Sequence, residues 1–225
     1  MVFRAVVVDV DGTITFSDRS IDCRAVEALR SLDVPVVIAT GNVLCFARAV
    51  SILLGTTGIV IAENGGVVEC GRVEYDTSHV ERCEKAFSYL LGHFPVEKLD
   101  HYENRKTEIA LRRDFDVEKA RDILSGFSDI EVVDTGFAVH IKSRKINKAT
   151  GLTRLSGLMG IDVKDFVAMG DSSNDIEMLE VSGFGVAVGN AHPALKAVAD
   201  MVTEGEHGAG VAEAVRELKG TGKIK

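Results

Sequence analysis

The sequence predicts an α/β protein, a parallel-sheet core into which a smaller α+β module is inserted. Two patterns carry that expectation. Towards both ends of the chain, short β-branched runs alternate with segments of helical period, the order of a parallel βαβ sheet with right-handed crossovers. Between them, after Ala62, a hairpin signal and closely spaced strands break the alternation.

Taken in order, Val6-Val7-Val8 is a β-branched run that leads into Asp9 and reads as a buried parallel strand. Asp22 to Leu32 carries Ala25, Val26, Leu29 and Leu32 at helical spacing, and Val34 to Ala39 is a second buried strand, closed by Thr40-Gly41-Asn42. Val43 to Leu54 is a helix with Val43, Ala47, Val50 and Leu54 on one stripe, followed by a strand at Ile59 to Ala62. The rhythm then changes. Val67 to Glu69 and Arg72 to Tyr75 flank Cys70-Gly71 as a hairpin. Ser78-His79-Val80-Glu81 reads as a capping box opening a helix faced by Val80, Cys83, Phe87, Leu90, Leu91 and Phe94. A strand at Glu108 to Arg112, a helix from Asp116 to Leu124 and strands at Ile130 to Val133 and Phe137 to Lys142 complete the module. From Asn147 the first rhythm returns, with a helix bearing Leu152, Leu155 and Met159 and a strand from Phe166 to Met169. After Gly170-Asp171-Ser172-Ser173-Asn174-Asp175 come a helix through Leu179, a strand at Val186 to Val188 and a helix from His192 to Ala199 with proline near its start. A short edge strand, Met201-Val202, a closing helix from Val211 to Leu218 and a frayed tail from Gly220 to Lys225 end the chain. Residues 1–81 and 145–225 are thus assigned to the core and 82–144 to the insertion.

With 225 residues, 46% hydrophobic and 27% charged, the chain is able to bury a sizeable core. Its longest apolar runs fall far short of the roughly 18 residues of a membrane span, and Met1 to Asp9 lacks a signal-peptide pattern. A soluble cytoplasmic protein is expected. The formal charge of −8 argues against nucleic acid as partner, because phosphate-backbone affinity rests on clustered Lys and Arg. An anionic substrate would need a local cation. Cys23, Cys45, Cys70 and Cys83 lack the spacing of a zinc site and read as free thiols.

Polar clusters follow three of the core strands: Asp9 and Asp11, Thr40 and Gly41, Asp171 and Asp175. Parallel strands present their carboxyl ends on one edge, so residues distant in sequence converge there. Each cluster alone reads equally as a solvated loop, and Asp11-Gly12 is a common turn pair. Packed carboxylates repel unless a cation or shared proton separates them. Several at one edge call for a hard divalent cation with oxygen ligands, and Mg²⁺ binds with few carboxylates and several waters.

These residues, in this order, resemble the haloacid dehalogenase superfamily of phosphohydrolases. Asp9-Val10-Asp11-Gly12-Thr13 is similar to its first motif, Thr40 to its second, Lys148 to its third and Gly170-Asp171-Ser172-Ser173-Asn174-Asp175 to its fourth. The likeness spans nearly the whole chain, and the first and fourth motifs are specific in combination. An insertion between the second and third motifs resembles the type-2 capped branch that contains the Cof-like sugar phosphatases. Its short length looks most like the archaeal-type phosphoglycolate phosphatases.

The resemblance implies a Rossmann-like core with a cap, and a Mg²⁺-dependent phosphatase of small phosphorylated metabolites working through an aspartyl-phosphate. It implies that Asp9 is the nucleophile and that Asp11 protonates the leaving oxygen and then activates water. Asp9, the Asp11 carbonyl, Asp171 and Asp175 would hold Mg²⁺. Thr40, Gly41 and Lys148 would face the phosphate oxygens. Asn174 would contact phosphate or tie the loop. Apart from the resemblance, Lys148 reads as a surface lysine in a helix's first turn, where the dipole disfavours it. A sugar-phosphate phosphatase or a phosphomutase shares these expectations. A phospho-accepting signalling module shares the acidic pocket and lysine but accounts for neither Asp11 nor a cap. The cap is expected to act as a substrate-selecting lid on a monomer or homodimer. Arg105, Lys106, Arg112, Arg113 and Arg144 are its available cations, and His140 could face either side of its sheet.

Overall fold

A computed structural model describes residues 2–100, 102–135 and 138–225. The chain forms two compact units, Met1–Val73 with Asn147–Lys225, and Glu74–Ile146. In the first half run β1 (Ala5–Asp9), α1 (Cys23–Arg30), β2 (Val36–Ala39), α2 (Leu44–Leu54), β3 (Ile59–Ala62), β4 (Val67–Cys70) and β5 (Arg72–Tyr75). The second unit holds α3 (Val80–Leu91), β6 (Ile109–Leu111), α4 (Val117–Ile123), β7 (Ile130–Asp134) and β8 (Val139–Ser143). The chain ends with α5 (Lys148–Met159), β9 (Phe166–Gly170), α6 (Ile176–Val181), β10 (Phe184–Ala187), α7 (Pro193–Val198), β11 (Met201–Val202) and α8 (His207–Gly220).

The large sheet runs β11-β10-β9-β1-β2-β3-β4-β5. Its pairs from β11 to β3 are parallel, and β4 joins β3 antiparallel. β1 is central, and Val6, Val7 and Val8 are each 0% exposed, a burial worth roughly 1.5–3 kcal/mol per side chain. Register positions the chemistry. Asp9 lies opposite Ala39 and Val8 opposite Met169, so the residues following β2 and β9 emerge beside the end of β1.

The smaller sheet is antiparallel, in the order β6-β8-β7. Val139 and Ile141 of β8 pack with Cys83, Leu90, Ile109, Leu111, Ile130 and Val132. Alternation along the strand turns His140 to the opposite face, where its Nδ1 lies 2.8 Å from Glu108 Oε1. Phe137, where the sequence starts this strand, lies outside the described residues.

Some local expectations are corrected. Ser78 does not cap α3. Its hydroxyl bonds Asp76 at 2.5 Å, and the capping position falls to His79, which makes no side-chain cap bond. α8 starts at His207, four residues before the first apolar signal at Val211. Gly208 and Gly210 mask the start, yet both are packing residues: a Cβ would come within 2.6 Å of the Asp22 side chain and 2.4 Å of the Gly205 carbonyl, respectively. The tail is pinned rather than frayed. Phe3 N–H donates to the Lys223 carbonyl at 2.7 Å, Asp33 N–H to that of Lys225 at 3.0 Å, and Ile224 is buried. Among the described residues, no helix is long and apolar enough to cross a membrane.

Candidate active site

The strand ends converge as the parallel topology requires. β1 ends at Asp9, which is buried, and the chain then turns so that Asp11 does not share its surroundings. Lys148, the first residue of α5, is 1% exposed. Its ammonium lies 2.5 Å from Asp9 Oδ1 and 2.6 Å from Asp175 Oδ1. The Thr13 hydroxyl is 3.1 Å from both Asp9 Oδ2 and Asp171 Oδ1, linking the two carboxylates. Asp175 Oδ2 accepts the N–H groups of Asp171 and Ser172 at 3.2 and 3.1 Å.

Glycine makes the approach of Asp171 possible. Gly12 has φ +88°, and a Cβ there would lie 2.3 Å from Asp171 Oδ2. A comparable constraint seats Lys148. Gly65, φ +102°, presses so closely on Asn147 that a Cβ would fall 1.9 Å from its carbonyl oxygen, and a Cβ on Gly151 would lie 2.7 Å from Gly65 Cα. Asn147 caps α5 by accepting the Thr150 N–H at 2.9 Å. The Gly65 loop reaches this position through Glu63 and Asn64, both at positive φ, a strained conformation for side-chain-bearing residues.

Three carboxylates sharing one ammonium leave excess negative charge. Burial, with repulsion from Asp175 and Asp171 and against the attraction of Lys148, holds the Asp9 carboxyl well above the usual carboxylate range. Burial and Asp175 push Asp171 up to about 6, although Lys148, Thr13 and Asp9 oppose the rise. Burial alone would lower the Lys148 ammonium, but Asp175 and Asp9 outweigh it and hold it above the ordinary lysine value. One carboxylate oxygen from each of Asp9, Asp171 and Asp175 lies within 4.8 Å of the other two. Hard oxygen donors, excess negative charge and a glycine that admits Asp171 fit a small divalent cation.

The remaining sequence candidates surround this cluster differently. Asp11 Oδ2 accepts from Asn42 Nδ2 at 2.7 Å and its Oδ1 from Arg19 Nε at 3.2 Å. Thr40 is buried, and its hydroxyl oxygen accepts the Asn42 N–H at 3.0 Å and Asn42 Nδ2 at 3.2 Å. A Cβ on Gly41 would meet Asn64 Oδ1 at 2.9 Å. Asn174 ties loops together, donating through Nδ2 to Asn64 Oδ1 at 3.3 Å and accepting from the Ser172 hydroxyl.

Sequence reasoning missed Arg19, Asn42, Asn190 and His207. Asn190 Nδ2 donates to the Gly12 carbonyl at 2.9 Å, and His207 Nδ1 lies 2.7 Å from the same oxygen. Asn42 and Asn190 do follow core strands closely, a position that could have flagged them. Arg19 and His207 carried no such signal.

Comparison with known proteins identifies the family of the chain. The model of haloacid dehalogenase-like hydrolases matches residues 6–106 and 98–215. The chain is 54% identical over 230 aligned positions to a phosphoglycolate phosphatase of Methanosarcina mazei, covering 100% of both chains. It is 46% identical over 220 positions to that of Archaeoglobus fulgidus, covering 96% of each. Among solved structures, Thermoplasma acidophilum 0175 superposes with a TM-score of 0.88 at 25% identity, covering 97% of this chain and 99% of that one. A haloacid dehalogenase-like hydrolase from B. subtilis shares the fold, with a TM-score of 0.80 at 23% identity over 96% of this chain and 100% of its own.

Proposed function

This chain belongs to the haloacid dehalogenase-like hydrolase family, and from that membership we propose that it hydrolyses 2-phosphoglycolate to glycolate and phosphate through an aspartyl-phosphate on Asp9. The observation that carries the reading is Lys148, buried between Asp9 and Asp175, with Asp171 joined to Asp9 through Thr13. The named substrate comes from the phosphoglycolate phosphatases to which the whole chain is similar.

Asp9 attacks phosphorus, the bond to the ester oxygen breaks, and the phosphoryl group passes to the carboxylate, dividing one hard displacement into two easier ones. Asp11 gives a proton to the departing glycolate oxygen and then takes one from the water that opens the acyl phosphate. Asn42 orients Asp11 for both steps, and Arg19 holds its second oxygen before substrate enters. Lys148 keeps Asp9 and Asp175 apart, and with Thr40 and Gly41 it offsets charge on the transferring oxygens, where phosphoryl transfer needs electrostatic stabilisation most. Mg²⁺, held by Asp9, Asp171 and Asp175 with the Asp11 carbonyl, would supply the positive charge that lets an anionic nucleophile meet a phosphate dianion. Asn174 positions the loop that bears Asp171 and Asp175. In this reading the unit Glu74–Ile146 is the lid, and it selects small esters by size. The enzyme is cytoplasmic and acts as a monomer or homodimer.

Phosphate release, measured with Mg²⁺ across 2-phosphoglycolate, sugar phosphates and p-nitrophenyl phosphate, should favour 2-phosphoglycolate. Asp9→Asn should lose at least about a hundredfold in kcat, because it removes the attacking charge and keeps the shape. A sugar phosphate that outpaces 2-phosphoglycolate would overturn the substrate, and an active Asp9→Asn would overturn the nucleophile.

A further inference from the structure

We infer that Arg19 forms the subsite for the substrate's carboxylate, carried beside the general acid by the hairpin that follows β1. This rests on the phosphoglycolate reading and assigns the residue that recognises the second charged group of that substrate.

The hairpin is a built structure. Thr15 and Ile21 form an antiparallel bridge. Phe16 N–H donates to the Ser20 carbonyl and Arg19 N–H to the Phe16 carbonyl, both at 2.9 Å. Asp18 Oδ1 accepts the Ser20 N–H at 2.9 Å and its hydroxyl at 2.6 Å. Arg19 itself has φ +69°, a left-handed conformation that glycine or asparagine adopts more readily. A long cationic side chain held at such a position points to use rather than to turn preference. Its Nε lies 3.2 Å from Asp11 Oδ1, its guanidinium carbon 5.7 Å from the Phe46 ring centre, and its side chain is 38% exposed.

The substrate's chemistry follows from that placement. The ester oxygen that Asp11 protonates must come within hydrogen-bond reach of its carboxylate. In 2-phosphoglycolate the carboxylate hangs from the methylene bonded to that same oxygen. Seating the ester oxygen at Asp11 therefore brings the carboxylate to the guanidinium bordering Asp11. Four aspartates, Asp9, Asp11, Asp171 and Asp175, would repel it there without a local cation. Lys148 is buried and held by two of them. The inserted unit's arginines are engaged with acids of their own unit: Arg105 with Glu108, Arg112 with Asp100, Arg113 with Asp134 and Arg144 with Glu131. Arg19 is also paired, but its partner, Asp11, must turn to the leaving oxygen during the reaction. The substrate carboxylate then takes that place on a planar donor group suited to it.

The test compares kcat/KM for 2-phosphoglycolate with that for its neutral analogue, 2-hydroxyethyl phosphate, in wild type, Arg19→Gln and Arg19→Lys with Mg²⁺. In Arg19→Gln the preference for the carboxylate ester should fall roughly 10- to 100-fold, the range for losing a hydrogen-bonded charged partner. Most of that loss should appear in KM, and Arg19→Lys should recover part of it. Equal losses on both substrates would reduce Arg19 to a positioning residue for Asp11 and overturn the inference, as would an unchanged preference. Wild-type turnover of the neutral ester without turnover of 2-phosphoglycolate would instead overturn the proposed function, and this subsite with it.

Discussion

Replacing Lys148 with methionine keeps the length of the side chain while removing the ammonium from between two carboxylates. At 2.5 and 2.6 Å, each contact is worth about 6–7 kcal/mol at an effective dielectric constant of about 20. Burial of the charge cancels most of that attraction. What remains is the penalty of leaving Asp9 and Asp175 buried without a cation, typically ~3–5 kcal/mol when one partner of a buried pair is removed. For a chain of this size each kcal/mol shifts Tm by roughly 2–4 °C, so Lys148→Met should melt about 6–20 °C below wild type. The assay is thermal unfolding by circular dichroism at pH 7 in excess chelator, where no divalent cation substitutes for the lysine. Repeating it near pH 5 should shrink the deficit, because Asp9 and Asp171, both held above the ordinary carboxylate range, take up protons there and the repulsion falls. Lys148→Met combined with Asp175→Asn should lose less than the two single variants together, the mark of residues that interact directly. A Tm within about 3 °C of wild type at pH 7, or a deficit indifferent to pH, would refute the reasoning.

Two further outcomes bear on the same cluster. Asp9 and Asp171 have folded-state pKa values above their ordinary ones, Asp171 at about 6. The stability they contribute is therefore fully present below their unfolded value, near 4, and is lost as pH rises through the folded value. Saturating Mg²⁺ should offset that loss, adding ~2.7 kcal/mol at a hundredfold excess over Kd, so the gap between melts in Mg²⁺ and in chelator should widen from pH 5 to pH 7. A constant gap would contradict the carboxylate site. Gly12→Ala, whose Cβ would lie 2.3 Å from Asp171 Oδ2, should raise the Mg²⁺ concentration for half-maximal activity roughly 10- to 100-fold by displacing that carboxylate. An unaltered Mg²⁺ titration would show that Asp171 has room to spare.

What could be read in the chain beforehand was whatever depends on local period and on strand ends. β1, β2, β3 and β9 announce themselves because strands buried on both faces must be continuously apolar, and Asp9 and Asp171 follow because parallel strands open at a common edge. The central position of β1 and the join between Lys148 and Asp175 are tertiary facts without a local signal. Lys148 sits at a helix start where the dipole disfavours it, and its stability there comes from two acids that arrive on other segments. Asn42 was legible only as turn chemistry, because its bond to Asp11 spans residues far apart in the chain. The start of α8 was hidden by glycines required for close packing, and the ordered tail by composition that elsewhere accompanies fraying.

The fit of Gly65 against Asn147 also bears on how such a chain can diversify. The first residue of α5 delivers the lysine, and the cap on that helix abuts a loop belonging to β3 and β4, supported by Gly151 beneath and by Arg154, which donates to the Gly65 carbonyl at 2.5 Å. The lysine's register is thus set by elements encoded outside the inserted segment. Descendants of one ancestor could lengthen, shorten or exchange the seventy-odd residues of the unit Glu74–Ile146 while the lysine returned to the same place each time. Change in that segment would then be separable, at the level of inheritance, from the seating of the lysine.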